Sequence, residues 1–409
     1  MLQRIWLGFF LLAFASGLFQ WLALGDGEVF QRMVASLFDM AGLAVELAIG
    51  LIGLMALWLG VVALGEASGL VDRLARLLSP LFTRLMPEVP AGHPAISSMT
   101  LNLSANVLGL DNAATPLGIK AMKDLQTLNP TPGVASNAEI LFLVLNTSSV
   151  TLFPVTILLY RAQLGAPDPA SVFLPILIAT ACSTLAGLLV TAWVQRLRLG
   201  DSVVLGALAL VMAALLALIA YLGTLSADQL QRQSSLVSNL MIFSLVILFL
   251  VAAQCRGVNV YETFIDGAKQ GFETAIGIIP FLLAMLVAIG CFRASGALGL
   301  IMDALRQGVA ALGWDARWVD VMPTALMKPL SGSGARAMMI DTMNTYGVDS
   351  FQGRLAAVMQ GSTETTFYVL AVYFGAVGIR HARHALACAL VADVAGISAA
   401  IGVAYWFYA

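Results

Sequence analysis

Charged side chains within the apolar part of this 409-residue chain are the first functional candidates. Glu364 lies in the polar stretch 362–365, inside a hydrophobic run, and Lys328 and Arg336 flank a segment of serine and glycine. A charged group in a membrane-spanning helix costs about 2.5–3.5 kcal/mol on insertion scales, so it normally faces a wet cavity or a charged partner. Glu364 is therefore the strongest single candidate for a binding site.

The segment 332–336 has the composition of a helix start that binds an anion. Small residues precede Arg336, and the free N–H groups of a helix N-terminus, together with the helix dipole, attract negative charge. Arg336 adds a bidentate donor for a carboxylate or phosphate. The alternative is a flexible turn whose arginine reaches the membrane interface. The anion site is favoured because the equivalent segment 111–116 is also polar.

Hydroxyl and amide side chains accompany these charged residues. Serine and threonine in membrane helices often only hydrogen-bond to a neighbouring helix, so a structural role and ligand contact are both open for them. The predicted substrate-binding set comprises Asn102, Ser104, Asn106, Asp111, Asn112, Thr115, Asn146, Thr147, Ser148, Lys328, Ser331, Ser333, Arg336, Ser362, Thr363, Glu364 and Thr365.

Several kinds of chemistry are disfavoured. No nucleophile elbow, His-Glu-x-x-His motif or phosphate loop occurs in the sequence, so neither an enzyme nor an ATP-driven pump is expected. His381 and His384 stand among arginines, which is typical of a membrane-boundary anchor rather than a metal site. The formal net charge of −2 gives no reason to expect nucleic acid. No catalytic residue, metal site or cofactor is predicted.

The composition is that of an integral membrane protein. Hydrophobic residues make up 60% of the chain and charged residues 11%, with a mean hydropathy of +0.90, whereas about a quarter of residues are charged in soluble domains. The apolar runs are long enough for helices that cross about 30 Å of hydrocarbon, so the predicted class is all-α. Nine spans are predicted, at 5–24, 42–64, 138–160, 171–194, 203–223, 236–254, 275–292, 354–378 and 384–407.

The second half of the chain repeats the first. Asp39 aligns with Asp266, and segment 67–69 aligns with 294–296, at a constant offset of 227. We therefore expect a first repeat at 1–200, a linker span at 201–235 and a second repeat at 236–409. Because a single linker span joins copies with an even number of crossings, the copies are predicted to have inverted topology, as in many transporters.

Mixed polar and apolar segments interrupt both copies. Stretches 97–106 and 328–334 are too polar to face lipid and too apolar for ordinary loops. Non-helical backbone at membrane depth is tolerated only where it lines a cavity or is buried in protein. Broken or re-entrant helices are therefore expected at both places, with half-helices directed at a central site.

The distribution of arginine and lysine favours a cytoplasmic N-terminus and an external C-terminus in the bacterial inner membrane. Arg73, Arg76 and Arg84 agree with this orientation. Arg293 and Arg306 oppose it, unless they belong to re-entrant segments.

Several motifs resemble a known family. Segment 328–335 and the stretch from Tyr261 to Pro280 are similar to spore maturation protein B, and segments 102–106 and 108–118 are similar to spore maturation protein A. The chain thus resembles a fusion of the two. These proteins carry the nucleoside-recognition, or Gate, domain shared with concentrative nucleoside transporters and the membrane part of ferrous-iron transporter B. The resemblance implies solute translocation by a gating or elevator-like movement, without identifying a substrate.

The sequence thus predicts a multi-pass secondary transporter for a small polar organic solute: a carboxylate, a zwitterion or a nucleoside-like molecule. The coupling cation would be Na⁺ or H⁺. Its partners would be that small-molecule substrate and the lipid bilayer, and a homo-oligomer is compatible with an elevator-type carrier. The alternative function is a non-transporting membrane scaffold that assists envelope or spore maturation, for which a dry and fully packed interface between the repeats is expected.

Overall fold

A computed structural model describes residues 2–90, 92–107, 111–148, 154–197, 199–277 and 279–409. This described part consists of helices and connecting turns and contains no β-strand. The first copy comprises α1 Leu2–Leu24, α2 Val29–Ala67, α3 Leu70–Leu85, α4 Pro94–Val107, α5 Asp111–Gln126, α6 Asn137–Ser148, α7 Val155–Gln163 and α8 Phe173–Gln195. The linker helix is α9 Ser202–Gly223. The second copy comprises α10 Ala227–Cys255, α11 Val260–Gly277, α12 Ile279–Ala294, α13 Ala297–Ala311, α14 Met322–Leu330, α15 Gly332–Tyr346, α16 Phe351–Gly361, α17 Thr366–Ala376 and α18 Ala385–Tyr408.

Six of the described helices contain segments long and apolar enough to cross a membrane, in α1, α2, α8, α9, α10 and α18. A seventh span is available if α12 and α13, bent by 67° at their junction, count as one. Large apolar side chains on α9 are exposed, with Leu210 72% accessible, as expected for a surface that faces lipid. The protein is an all-α polytopic membrane protein.

The prediction of one continuous span at 354–378 is wrong. Helix α16 ends at Gly361 and α17 begins at Thr366. The break forms because the Ser362 hydroxyl donates to the Met359 carbonyl, while the Glu364 backbone N–H donates to Thr147 in the other copy. The predicted span 138–160 is likewise divided between α6 and α7, and residues 149–153 between them lie outside the described part.

The two copies share the same order of helices. Helices α1 to α8 correspond to α10 to α18, except that α2 corresponds to the pair α11 and α12. The turns that start α3 and α13 also have the same conformation. Gly69 and Gly296 have φ of +68° and +70°, which favours glycine. Before each glycine, a serine hydroxyl donates to a carbonyl three residues earlier, at 2.6 Å for Ser68 and 2.9 Å for Ser295.

Counterpart helices of the two copies run antiparallel. Contacts between α8 and α18 join Gln195 to His384 near one end and Ser171 to Tyr408 near the other. Helix α2 packs in the same antiparallel way on α11 and α12, because Gly271 lies against Ala56 and Gly290 against Met40. Glycine lets these backbones approach closely. The repeats are therefore inverted relative to each other.

Two short counterpart helices lie in the interior of the protein. Every residue of α6 from Ala138 to Ser148 is buried, and α16 is buried from Leu355 to Gln360. A helix that is apolar on nearly all sides is stable only when surrounded by protein. The ends of α6 and α16 are therefore held in fixed positions inside the molecule, and both ends carry polar residues.

Candidate functional site

Helices α4 to α7 of the first copy and α14 to α17 of the second border one cavity of about 240 Å³. Two described helix breaks lie beside it, at Ser331 between α14 and α15 and at 362–365 between α16 and α17. Helix ends expose backbone N–H and C=O groups that the helix itself does not satisfy. The cavity is consequently surrounded by polar backbone as well as by polar side chains, including those of Asn106, Thr115, Asn146, Thr156, Tyr160, Lys328, Arg336, Gln360, Thr363, Glu364, Thr365, Tyr368 and Tyr373.

Eight members of the predicted binding set line this cavity: Asn106, Thr115, Asn146, Lys328, Arg336, Thr363, Glu364 and Thr365. They come from both copies and from sequence positions more than 200 residues apart. Asp111 and Asn112 begin α5, and their side chains lie outside the described part. The described lining does not include the remaining seven, which are Asn102, Ser104, Thr147, Ser148, Ser331, Ser333 and Ser362.

Most of these seven side chains hydrogen-bond at helix ends. Ser331 accepts from the Gly334 N–H at 3.1 Å and thereby caps α15, and Ser333 lies 3.3 Å from the Ser331 hydroxyl. The hydroxyls of Thr147 and Ser148 both donate to the Val144 carbonyl, at 3.0 and 2.8 Å. Such bonds to the preceding turn satisfy the hydroxyl without a ligand.

An amide network connects the copies at one wall of the cavity. Asn106 donates to the Asn146 side-chain oxygen at 2.9 Å, and the Tyr373 hydroxyl donates to the same oxygen at 3.3 Å. Asn102 contributes behind the wall, where its amide donates to the Ala114 carbonyl at 2.7 Å. Each of these groups is held by another, so the wall presents a fixed arrangement of amide and hydroxyl groups to a ligand.

Arg336 supplies positive charge on α15, one turn after the Ser331 cap. Its guanidinium carbon lies 5.6 Å from the centre of the Tyr160 ring, and its Nε has no hydrogen-bond partner among the described residues. An arginine over an aromatic face retains its in-plane donors for another group. With the nearby start of α15, it forms an arrangement suited to an anion.

Glu364 supplies negative charge from the break between α16 and α17. It lies outside a helix, contrary to the expectation of a carboxylate within a spanning helix. Its backbone N–H donates to the Thr147 carbonyl at 2.8 Å, while its half-buried side chain borders the cavity. The polar backbone of the break reduces the cost of placing a carboxylate at this depth.

Sequence reasoning missed Asp393, which is 1% exposed in α18. The Thr366 hydroxyl donates to its Oδ2 at 2.7 Å. A single acidic residue in the apolar run 384–407 was the available indication, since ionisable residues in spans are functional candidates by default. Tyr160, Gln360 and Tyr373 were also missed, because such residues are common in helix cores.

Comparisons with known proteins agree with this architecture. The family model described as Gate, nucleoside recognition, matches residues 48–165 and 275–380, more than half of the chain. Every residue that lines the cavity lies within these two segments. No solved structure matches the chain significantly.

Two relatives from Bacillus subtilis (strain 168) each cover a different share of the chain. Spore maturation protein B is 53% identical over 146 residues, which are 36% of this chain and 80% of that protein. Spore maturation protein A is 37% identical over 160 residues, which are 39% of this chain and 82% of that protein. The chain belongs to the Gate family of nucleoside-recognition membrane proteins and combines homologues of spore maturation proteins A and B in one polypeptide.

Proposed function

We propose that the protein is a secondary transporter that moves a small polar organic solute across the bacterial inner membrane, coupled to Na⁺ or H⁺. One observation carries the proposal: short helices of two inverted copies, including the broken pairs α14–α15 and α16–α17, surround a polar cavity. Inverted repeats with discontinuous helices are the architecture in which one central site can be exposed to either side of a membrane by movement of one copy against the other.

The charges that line the cavity suit a solute with both a negative and a positive group. Arg336 offers a guanidinium, Glu364 offers a carboxylate, and Asn106 and Gln360 offer amides. The volume of about 240 Å³ lies below the 300–1,000 Å³ typical of pockets for drug-sized ligands. A small carboxylate, a zwitterion or a nucleoside-like molecule fits this size and chemistry.

Aromatic side chains at the cavity also suit a nucleoside-like solute. Tyr160 and Tyr368 border the cavity, and an aromatic ring can stack on a flat base. The description of the matched family, nucleoside recognition, supports the same substrate class. Amino acids would use the paired charges, whereas nucleosides would use mainly the amides, hydroxyls and Glu364.

The experiment begins with the purified protein in detergent, whose thermal unfolding is measured with uridine, adenosine, amino acids and short dicarboxylates. A ligand that binds the folded protein raises its unfolding temperature. The same compounds are then tested for uptake into proteoliposomes under imposed Na⁺ or proton gradients. Gradient-dependent accumulation is expected for at least one class. Proteoliposomes with intact, folded protein and no uptake of any class would contradict the proposal.

A scaffold in envelope or spore maturation is the second candidate, favoured by the names of the two relatives. A scaffold needs no polar cavity between its repeats. Variants that fold normally but lose either ligand binding or accumulation separate the two functions: if the protein is a scaffold such a variant still complements a deletion strain, and if it is a transporter the variant does not. Arg336→Ala and Glu364→Gln serve this comparison, because both side chains border the cavity.

A further inference from the structure

Helix α3 connects the ends of two membrane-spanning helices. At its start, a Cβ added to Gly69 would lie 2.6 Å from the guanidinium carbon of Arg256, which directly follows the last residue of the spanning helix α10. In its last turn, Arg84 forms an ion pair with Asp201 at 3.0 Å. Asp201 caps the first turn of the spanning helix α9.

These two ends lie on the same face of the membrane. Helices α9 and α10 are consecutive spans separated only by residues 224–226, so the start of α9 and the end of α10 are on one side. Helix α3 has 16 residues, is therefore about 24 Å long, and reaches from one of these ends to the other. It consequently lies along the membrane surface and does not cross the hydrocarbon.

Three kinds of surface run along α3. Phe82 and Leu85 are buried against the rest of the protein. Leu77 is 75% exposed, although it lies on the apolar half of the helix. At about 100° per residue, Leu77 is located between the buried side and the exposed polar side that carries Arg73 and Arg76. Helices that lie in the membrane interface have this order, with apolar side chains in the acyl region and arginines at the headgroups.

The exposed arginines are not neutralised by acidic side chains. Among the described residues, Arg73, Arg76 and Arg256 form no ion pair. Arg76 donates from Nε to the backbone carbonyl of Asp72 at 3.4 Å, which leaves its charge in place. Side chains on a helix lean toward its N-terminus, so Arg73, one turn after Gly69, extends toward Arg256. The three guanidinium groups form one basic surface.

The counterpart helix α13 lacks this basic surface. Leu300 and Asp303 stand where α3 has its two exposed arginines, at the offset of 227. Arg306 of α13 is ion-paired with both Asp303 and Asp320. Because the copies are inverted, α13 lies at the opposite face of the membrane. The basic surface is therefore specific to α3 and its face, and the repeated fold does not require it.

We propose that α3 is an interfacial helix that binds the headgroups of anionic phospholipids through Arg73, Arg76 and Arg256. Guanidinium groups donate bidentate hydrogen bonds to phosphate, and basic residues at a membrane surface are attracted by anionic lipids. Leu77 lies on the side of α3 that contacts the acyl chains. Arg84 does not belong to this set, because it is already ion-paired. The inference concerns the lipid alone and is independent of any solute in the cavity.

The test measures phospholipid bound to the full-length protein. The protein is purified in a non-ionic detergent and titrated with phosphatidylglycerol, and native mass spectrometry gives the affinity for the bound lipid. The double variant Arg73→Gln with Arg76→Gln should bind about 30-fold more weakly, because each basic residue near an anionic surface contributes about fivefold. Arg256→Gln alone should weaken binding about fivefold.

Arg306→Gln is the matched control, since Arg306 lies on the counterpart helix and is already paired. It should bind phosphatidylglycerol as the wild type does. Phosphatidylcholine, which has a phosphate but no net charge, should bind more weakly, and so should glycerol phosphate, which has no acyl chains. Thermal unfolding verifies that each variant is folded. Wild-type affinity of the double variant, or equally tight binding of phosphatidylcholine or of glycerol phosphate, would overturn the inference.

Discussion

The backbone N–H of Glu364 donates to the carbonyl oxygen of Thr147 at 2.8 Å, across the boundary between the two copies. Thr147 is the last residue but one of α6. Glu364 lies two residues before α17, where N–H groups have no partner within the helix that follows. The bond therefore joins helices of both copies. A movement that displaces the segment 362–365 must also displace the end of α6, or it breaks the bond.

Glu364→Gln should leave the protein folded and able to bind its ligand but abolish accumulation against a gradient. The bond to Thr147 uses the backbone and survives the substitution, whereas the negative charge at the cavity is lost. Uptake into proteoliposomes and unfolding temperature are measured side by side. Glu262→Gln, at the exposed start of α11, is the control. Uptake by Glu364→Gln at the wild-type level, with unchanged ion dependence, would make Glu364 a structural residue.

Arg336→Ala should weaken binding of an anionic ligand by about 10- to 100-fold, because a hydrogen bond to a charged group contributes about 1.5–3 kcal/mol. Tyr160→Leu should have a smaller effect, since the cation–π contact contributes only about 0.5–2 kcal/mol. Calorimetric titration of the purified variants measures the ligand affinity of each one.

Arg317→Ala is the control for this pair, because Arg317 also lies over an aromatic ring, 4.8 Å from the centre of Phe351, but does not border the cavity. It should bind the ligand as the wild type does. Equal weakening by Arg317→Ala and Arg336→Ala would indicate a general loss of stability rather than a lost contact.

Composition and repeat alignment predict the all-α class, the inverted copies and eight of the residues that line the cavity, because isolated polar residues are conspicuous in apolar runs. The break at 362–365 is not predicted from the sequence, because hydropathy averaged over the length of a span stays high when four polar residues lie between two apolar helices. Asp393 was not predicted as a site residue for a different reason. Its hydrogen-bond partner Thr366 lies 27 positions away in the chain, and only the packing of α17 against α18 brings the Thr366 hydroxyl within 2.7 Å of the carboxyl group.

Gly396→Ala should destabilise the protein by about 1–3 kcal/mol, the usual range for an overpacked interior. An added Cβ would lie 2.7 Å from the Thr363 methyl group and 3.0 Å from the Ser183 Cβ, and so would push α18 away from the break beside the cavity. Gly402→Ala, on the same helix, has open space around its new Cβ and should be neutral or slightly stabilising. Thermal unfolding in detergent compares the two, and equal melting temperatures would contradict the packing described for α18.

Cysteines at Arg76 and Asp303 should be labelled from opposite sides of the membrane. The two positions are exposed counterparts in α3 and α13 at the offset of 227, and inversion places counterparts on opposite faces. The four native cysteines, including the exposed Cys255, are first replaced. A membrane-impermeant thiol reagent is then applied to right-side-out and inverted vesicles. Each variant should react in only one vesicle type, and the reactive type should differ between them. Labelling of both variants from the same side would contradict the inverted arrangement, since copies of parallel topology expose counterparts on one face.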